Sequence, residues 1–149
     1  TVKTKTPKFI RVEQGTKTLF SGKETEVIVE FSDDELQENF YLFDFSNNLY
    51  LSIEDRFFNG SDYNFSFFYQ EDEIEIPSDV LIKMAGVSKD YYTYFRVLTS
   101  QSGQSGGGPF QTTPSSLLGN IVNTTDATNF PLGYFNISET TTYTLSLTE

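Results

Sequence analysis

Apolar and polar side chains alternate along most of the chain with a period of two, the pattern of strands with one face buried. Over 26–31, Val27, Val29 and Phe31 fall on one side and Ile28 and Glu30 on the other. Residues 63–69 place Tyr63, Phe65, Phe67 and Tyr69 together, with Asn64 and Ser66 opposite. Leu49, Leu51 and Ile53 form another inward row, as do Val80, Ile82 and Met84 against Leu81 and Ala85. The stretch 39–45 differs, because Phe40 and Leu42 oppose Tyr41, Phe43 and Phe45, so both faces are apolar. A strand of that kind belongs at the centre of a sheet covered on both sides, which implies at least two layers. Weaker patterns predict strands at 9–13, briefly at 18–20, at 120–123, at 131–137 with an interruption at Gly133, and at 142–147 with Tyr143, Leu145 and Leu147 inward. Gln14-Gly15, residues 21–23, Asn47-Asn48 and Asn59-Gly60 supply the turns. About eight or nine short strands at this spacing predict a mainly β chain.

One segment breaks the period. Ser88 can cap a helix, Asp90 suits its electropositive first turn, and Tyr91, Tyr94, Phe95 and Leu98 recur at helical spacing. This predicts roughly three turns whose stripe packs on a sheet. Lys89, Thr93 and Arg96 then face solvent, and Tyr92, off the stripe, projects outward. After Thr99 the serial glycines end the helix. Residues 102–108 read as a flexible linker, whereas Pro109 and Pro114 restore order over 109–122 and make that stretch a candidate binding loop anchored by Phe110, Leu117 and Leu118. The expected architecture is a two-layer antiparallel β-sandwich, with one short α-helix capping an end and a long Gly/Ser/Pro loop, all 149 residues forming one domain.

Composition narrows the chemistry. With no cysteine, thiol catalysis, thiolate metal sites and disulfides have no material, and with no histidine neither do Ser-His, Cys-His or zinc-hydrolase mechanisms. A net charge of −11 argues against nucleic-acid binding. The basic arm with Lys3, Lys5, Lys8 and Arg11 reads as a solvated strand edge more readily than as a contact for acidic headgroups. No apolar run is long enough to cross a bilayer as a helix. The chain starts without Met and shows no secretory leader, so it reads as a piece of a longer product. Charge is also uneven: past Asp90 the ionisable side chains other than tyrosine are Arg96, Asp126, Glu139 and Glu149.

Three constellations invite a chemical reading. Asp55, Asn59 and Asp62 could ring a hard cation, but the spacing fits no twelve-residue calcium loop and an Asx-rich turn explains it. Glu71, Asp72, Glu73 and Glu75 could pair carboxylates for glycoside hydrolysis, yet consecutive acids on a strand alternate sides and an exposed turn suffices. Tyr91, Tyr92 and Tyr94 with Phe110 and Tyr134 could form an aromatic platform for a sugar, a peptide or a protein, although a patch of core is the readier reading. No metal site, cofactor or catalytic residue is assigned.

The motifs FNG at 58–60, VSKDYYTYFRVLTSQSG at 87–103, GPFQTTPSSLLGNIVN at 108–123 and LGYF at 132–135 are together similar to the C-terminal part of the DUF4249 family of Bacteroidota lipoproteins. The resemblance runs from about the strand at 26–31 through LGYF, with Pro109, Phe110, Pro114, Gly119, Asn120, Gly133, Tyr134 and Phe135 as its signature. It implies a cell-envelope protein at the outer membrane, held by a lipid on a cysteine this chain lacks, with an N-terminal immunoglobulin-like domain ahead of the present one and a gene often beside TonB-dependent receptors. It implies no catalytic residues.

The expected function is therefore a non-enzymatic accessory domain of an outer-membrane lipoprotein that binds a TonB-dependent receptor or other envelope protein in nutrient uptake. The binding candidates are Tyr92, Pro109, Phe110, Gln111, Pro114, Asn120, Asn123 and Tyr134. The rival reading is a carbohydrate-active domain, either a glycan-binding module or a hydrolase using Glu73 or Glu75; a structural spacer is the third.

Overall fold

The computed structural model of the chain describes residues 7–35, 37–101 and 117–149. Among them seven strands and one helix follow in the order β1 (Phe9–Gln14), β2 (Thr25–Ser32), β3 (Phe40–Asp44), β4 (Tyr50–Glu54), β5 (Asp62–Tyr69), β6 (Ser78–Val87), α1 (Lys89–Gln101) and β7 (Thr140–Leu147). All strand pairs are antiparallel and make two sheets, β1-β2-β5 and β4-β3-β6-β7, whose inner faces share one core. This is the expected β-sandwich. The turns fall where Asn and Gly tolerate left-handed backbone: Asn47 and Asn48 have φ of 50° and 61°, and Gly60 has 73°.

The core is aromatic because the inward rows read from the sequence interdigitate. Phe31 of β2 meets Tyr41 and Phe43 of β3 at ring separations of 5.1 and 5.5 Å, and Phe45 lies parallel to Phe67 of β5 at 3.8 Å. Offset and edge-on aromatic contacts of this kind add to the burial term. The tyrosine hydroxyls within the core are also satisfied. Tyr69 donates to the carbonyl of Phe45 at 2.6 Å and Tyr41 donates to Asp33. Burial first, and then nearby carboxylates, push both phenols well above their ordinary range, which keeps them neutral donors.

β3 is covered on both faces as predicted. Tyr41 and Phe43 enter the sandwich core, while Phe40 and Leu42 turn outward to a second cluster with Val87, Ala85, Tyr91 and Tyr92. The helix thus lies on the outer face of the four-stranded sheet and not over one end of the sandwich. Its placement follows from the short link at Ser88, whose hydroxyl accepts the Tyr91 amide at 3.3 Å. With only that residue between β6 and α1, the helix must fold straight back onto the strands it leaves.

Three expected strands do not form. At 18–20 a side chain takes the place of a ladder: Glu24 accepts from the Leu19 amide at 3.0 Å and, just beyond, from that of Ser21 at 3.1 Å. Residues 120–123 and 131–137 also lie outside regular structure, for the side-chain reasons given below. The strand total is accordingly seven among the described residues, not eight or nine. Tyr143, expected inward, is 41% exposed, because β7 is an edge strand and the ring rests edge-on against Phe9 of β1 at its margin. That margin is closed by side chains: Gln14 donates to the Thr148 carbonyl at 2.8 Å and accepts its amide at 2.9 Å.

Two buried carboxylates secure the 15–24 connection. Glu26, 1% exposed, accepts from the Lys17 amide at 2.8 Å and the Ser66 hydroxyl at 2.5 Å. Its carboxyl packs where a Cβ on Gly15 would sit, at 2.0 Å, so any larger residue at 15 would displace this buried, hydrogen-bonded group. Burial alone would raise the Glu26 pKa, but the hydrogen bonds from Ser66 and Lys17 outweigh it and hold the group below the usual range. Glu24 is lowered from 4.5 to about 2, chiefly by the Ser21 hydroxyl.

Replacing Phe43 by Ala should cost about 3–5 kcal/mol in urea unfolding, whereas Phe57→Ala, at a ring 90% exposed, should stay within about 0.5 kcal/mol. Both lowered carboxylates bind protons more readily unfolded than folded, so their stabilisation is present above 4.5 and is lost on acidification, for Glu24 as pH falls towards about 2. Asp55, raised first by burial and then by Asp33, works in the opposite sense. Unfolding curves across that window should show a shallower acid limb for Glu24→Gln than for the parent chain.

Candidate functional site

After α1, residues 117–139 form a strap without regular secondary structure, beside the helix. Its two arms are clipped together by Asn120, whose side-chain amide donates to the Phe135 carbonyl at 2.8 Å and accepts the Phe135 amide at 2.7 Å. This reproduces with one side chain the two-bond pairing of a strand, which is why a strand-like sequence here needs no ladder. The arms approach so closely that a Cβ on Gly119 would lie 1.6 Å from the Gly133 carbonyl oxygen. Only glycine fits there. Between the arms Asn123 closes a turn, its Oδ1 accepting the amides of Thr125 at 3.0 Å and Asp126 at 3.1 Å, and Asp126 repeats the device on Thr128 at 2.9 Å. The Thr128 hydroxyl, then its amide, hold the Asp126 carboxyl below its ordinary range.

Tyr134 joins strap to helix. Its ring stands 5.2 Å from Tyr91 and 4.9 Å from Tyr94, and the Tyr94 hydroxyl donates to the Leu132 carbonyl at 2.9 Å. Part of the expected aromatic platform is therefore assembled. Burial, followed by the neighbouring phenols, raises the Tyr91 pKa, so the Tyr91 phenol stays neutral. Tyr92 is not part of an outward platform. It is 6% exposed and packs on Phe40 at 4.9 Å, with the Arg96 guanidinium 5.5 Å from its ring centre. The correction has a physical cause: the strap covers the Tyr91/Tyr94 side of the helix, so the residue turned to the sheet is one step round from the stripe, and Leu98 on the stripe is 41% exposed. Lys89, Thr93 and Arg96 do face solvent. The candidates Pro109, Phe110, Gln111 and Pro114, with the linker 102–108, lie outside the described residues.

The strap exposes several large apolar side chains. Leu118, Val122, Phe130, Leu132, Phe135 and Ile137 are all at least two-thirds exposed, and Leu118, Ile121, Val122, Phe130 and Pro131 line a hollow of about 250 Å³. Isolated exposed apolar residues are ordinary, whereas this many on one short segment make it a candidate interaction surface. The acidic candidates sit elsewhere. Asp55 is buried and accepts the Asn39 amide at 2.7 Å, a loop-fixing role, while Glu71 pairs with Lys23 at 2.7 Å and Glu73 accepts the Gln70 amide at 2.8 Å on the surface. Among the described residues no three carboxylates gather where they could hold a metal ion, and no helix is long and apolar enough to cross a membrane. Of the basic arm, Arg11 is paired with Glu13 at 2.8 Å and Glu30 at 3.0 Å.

Between the outer edge of β4 and α1 runs a cleft of about 780 Å³ lined by Tyr50, Ser52, Phe67, Phe95, Arg96 and Val97, among others. Tyr50, the outward aromatic between Leu49 and Leu51, was its one legible sign.

The family model described as Domain of unknown function (DUF4249) matches residues 1–144. The chain belongs to the DUF4249 family. No curated protein and no solved structure matches it. The DUF4249 match extends beyond 26–135, where the sequence motifs lie, to take in β1 and most of β7. The strap's clip, Asn120 to Phe135, and its close contact, Gly119 to Gly133, are built from residues of that signature.

Asn120→Ala in this DUF4249 domain should release the strap without unfolding the sandwich. The expected result is rapid hydrogen exchange at the Phe135 amide and a global loss near about 1 kcal/mol.

Proposed function

We propose that this domain is a non-enzymatic recognition module of the cell envelope, part of an outer-membrane lipoprotein that engages a TonB-dependent receptor or its cargo through the strap. The observation that carries the reading is the strap itself: a segment internally clipped by Asn120 and seated on Tyr91 and Tyr94, yet presenting exposed Val122, Phe130, Leu132, Phe135 and Ile137 outward. Preformed backbone lowers the ordering cost of association, and apolar side chains supply its driving force. Asp126 is the one ionised side chain between residues 117 and 138, so little charge must be desolvated. The envelope setting and the receptor rest on the motif resemblance to the family's lipoproteins.

The glycan reading is less well supported. Neither Glu73 nor Glu75 lines the cleft beside β4 or the strap's hollow, and Glu73 is engaged with the Gln70 amide.

The test is co-purification of the lipid-anchored protein with its membrane partners from envelope extract, in parent form and as Leu132→Asp/Phe135→Asp. The receptor should accompany the parent and be lost from the variant, while both keep the same unfolding midpoint. Equal recovery of receptor with both forms would overturn the role of the strap.

A further inference from the structure

The hydrogen-bond phase of β4 leaves a usable edge. Phe45 donates to the Leu49 carbonyl and Asp55 to that of Asn39, and the β3–β4 register between them pairs Phe43 with Leu51 and Tyr41 with Ile53. Antiparallel ladders alternate, so Leu49, Leu51 and Ile53 spend their backbone groups on β3. The N–H and C=O groups of Tyr50, Ser52 and Glu54 consequently point away from the sheet, and β4 pairs only with β3 among the described strands.

Native edges are usually blunted by lysine, proline or a bulge. β1 has such an irregularity between Phe9 and Arg11, but β4 has no lysine or proline, and its single charge, Glu54, lies at the end beside Arg56 at 3.7 Å. The two margins of the sandwich also differ. On the β1/β7 side Gln14 and Thr148 close the gap, whereas Leu51, Ile53, Phe65 and Phe67 on the β4/β5 side stay half-buried. The cleft follows this open margin, with Phe95 and Arg96 of α1 as its far wall.

We propose that the β4 edge and this cleft bind an extended segment of another protein, which adds as a fifth strand to the four-stranded sheet. Outward backbone groups at every second residue demand a partner with the same repeat, and the cleft takes its alternate side chains against Phe67 on one face and Tyr50 and Phe95 on the other. Arg96 sets the polarity. It is in none of the ion pairs among the described residues and stands on the wall of the cleft in a chain of net charge −11, so the segment carries a carboxylate facing it. A second copy is the poorer occupant: edge-to-edge pairing would oppose two chains of −11 and bring no carboxylate that the edge itself supplies other than Glu54. This site is separate from the strap and stands or falls independently of it.

The probe is a soluble synthetic peptide of about ten residues, alternating valine and serine with one central aspartate, titrated against the ¹⁵N-labelled chain. Binding should shift the Tyr50, Ser52 and Glu54 amides and protect them from exchange. Methylating alternate backbone nitrogens of the peptide should abolish binding, and Arg96→Ala should weaken it about tenfold, whereas Leu132→Asp/Phe135→Asp should leave it unchanged. Ser52→Pro, which removes only an outward N–H, should also abolish it with the unfolding midpoint nearly intact. Equal binding of the methylated peptide, shifts confined to the strap, a concentration-dependent dimer through β4, or protection of the Ser52 amide in the free monomer would each overturn the assignment.

Discussion

The two apolar faces of β3 set the rest of the structure. A strand with Tyr41, Phe43 and Phe45 on one side and Phe40 and Leu42 on the other cannot lie at an edge or under water. It needs a strand on each flank and a layer over each face. β4 and β6 supply the flanks, the three-stranded sheet covers the first face, and α1 covers the second. The helix is therefore part of the packing solution and not an appendage, and Tyr92 is buried because it is the side chain that reaches Phe40. With α1 fixed there, the strap lies against one of its flanks, where Tyr134 meets Tyr91 and Tyr94.

Away from the sheets, order comes from polar side chains that take over backbone hydrogen bonds. Glu24 and Glu26 gather the amides of the 15–24 connection, Asp55 holds Asn39, and Asn120 joins the two arms of the strap. Each substitution of a carboxylate or amide for a strand partner satisfies buried or constrained donors without extending a sheet. The same economy accounts for the buried acids: Glu26 and Asp55 are nearly inaccessible and spend their oxygens on the chain's own donors.

The sandwich was legible because its signal is periodic. The inward rows of β2, β5 and β6 and the two-sided β3 could be read from alternation alone, and Asn47-Asn48 and Asn59-Gly60 fell at turns. The strap was not legible as what it is. Residues 120–123 and 131–137 have strand-like composition, but Asn120 and Asn123 intercept the backbone groups that a ladder would use, an effect that depends on which residues meet in space. Tyr92 misled for a related reason, since helical periodicity finds an apolar stripe but cannot say whether a sheet or a strap covers it. Among the binding candidates, Tyr134 does sit in an aromatic cluster, and Asn120 and Asn123 are committed to shaping the segment that carries the exposed apolar residues.

The β4 cleft left no mark on the sequence beyond Tyr50, because it arises from a mismatch between layers. The three-stranded sheet and the four-stranded one are joined at their β1 and β7 ends, so the surplus of strands is felt on the other side, where β4 and β5 leave Leu51 and Phe67 half-covered. A further strand on β4 would correct both shortfalls together, giving the outward groups of Tyr50, Ser52 and Glu54 their partners and roofing the aromatic margin. Neither the strap nor the helix can do this, since the strap lies against Tyr91 and Tyr94 while the cleft opens past Phe95 and Arg96. The two surfaces thus differ in kind: one offers apolar side chains on a clipped segment, the other backbone at a fixed repeat, and a partner built for one has no reason to fit the other.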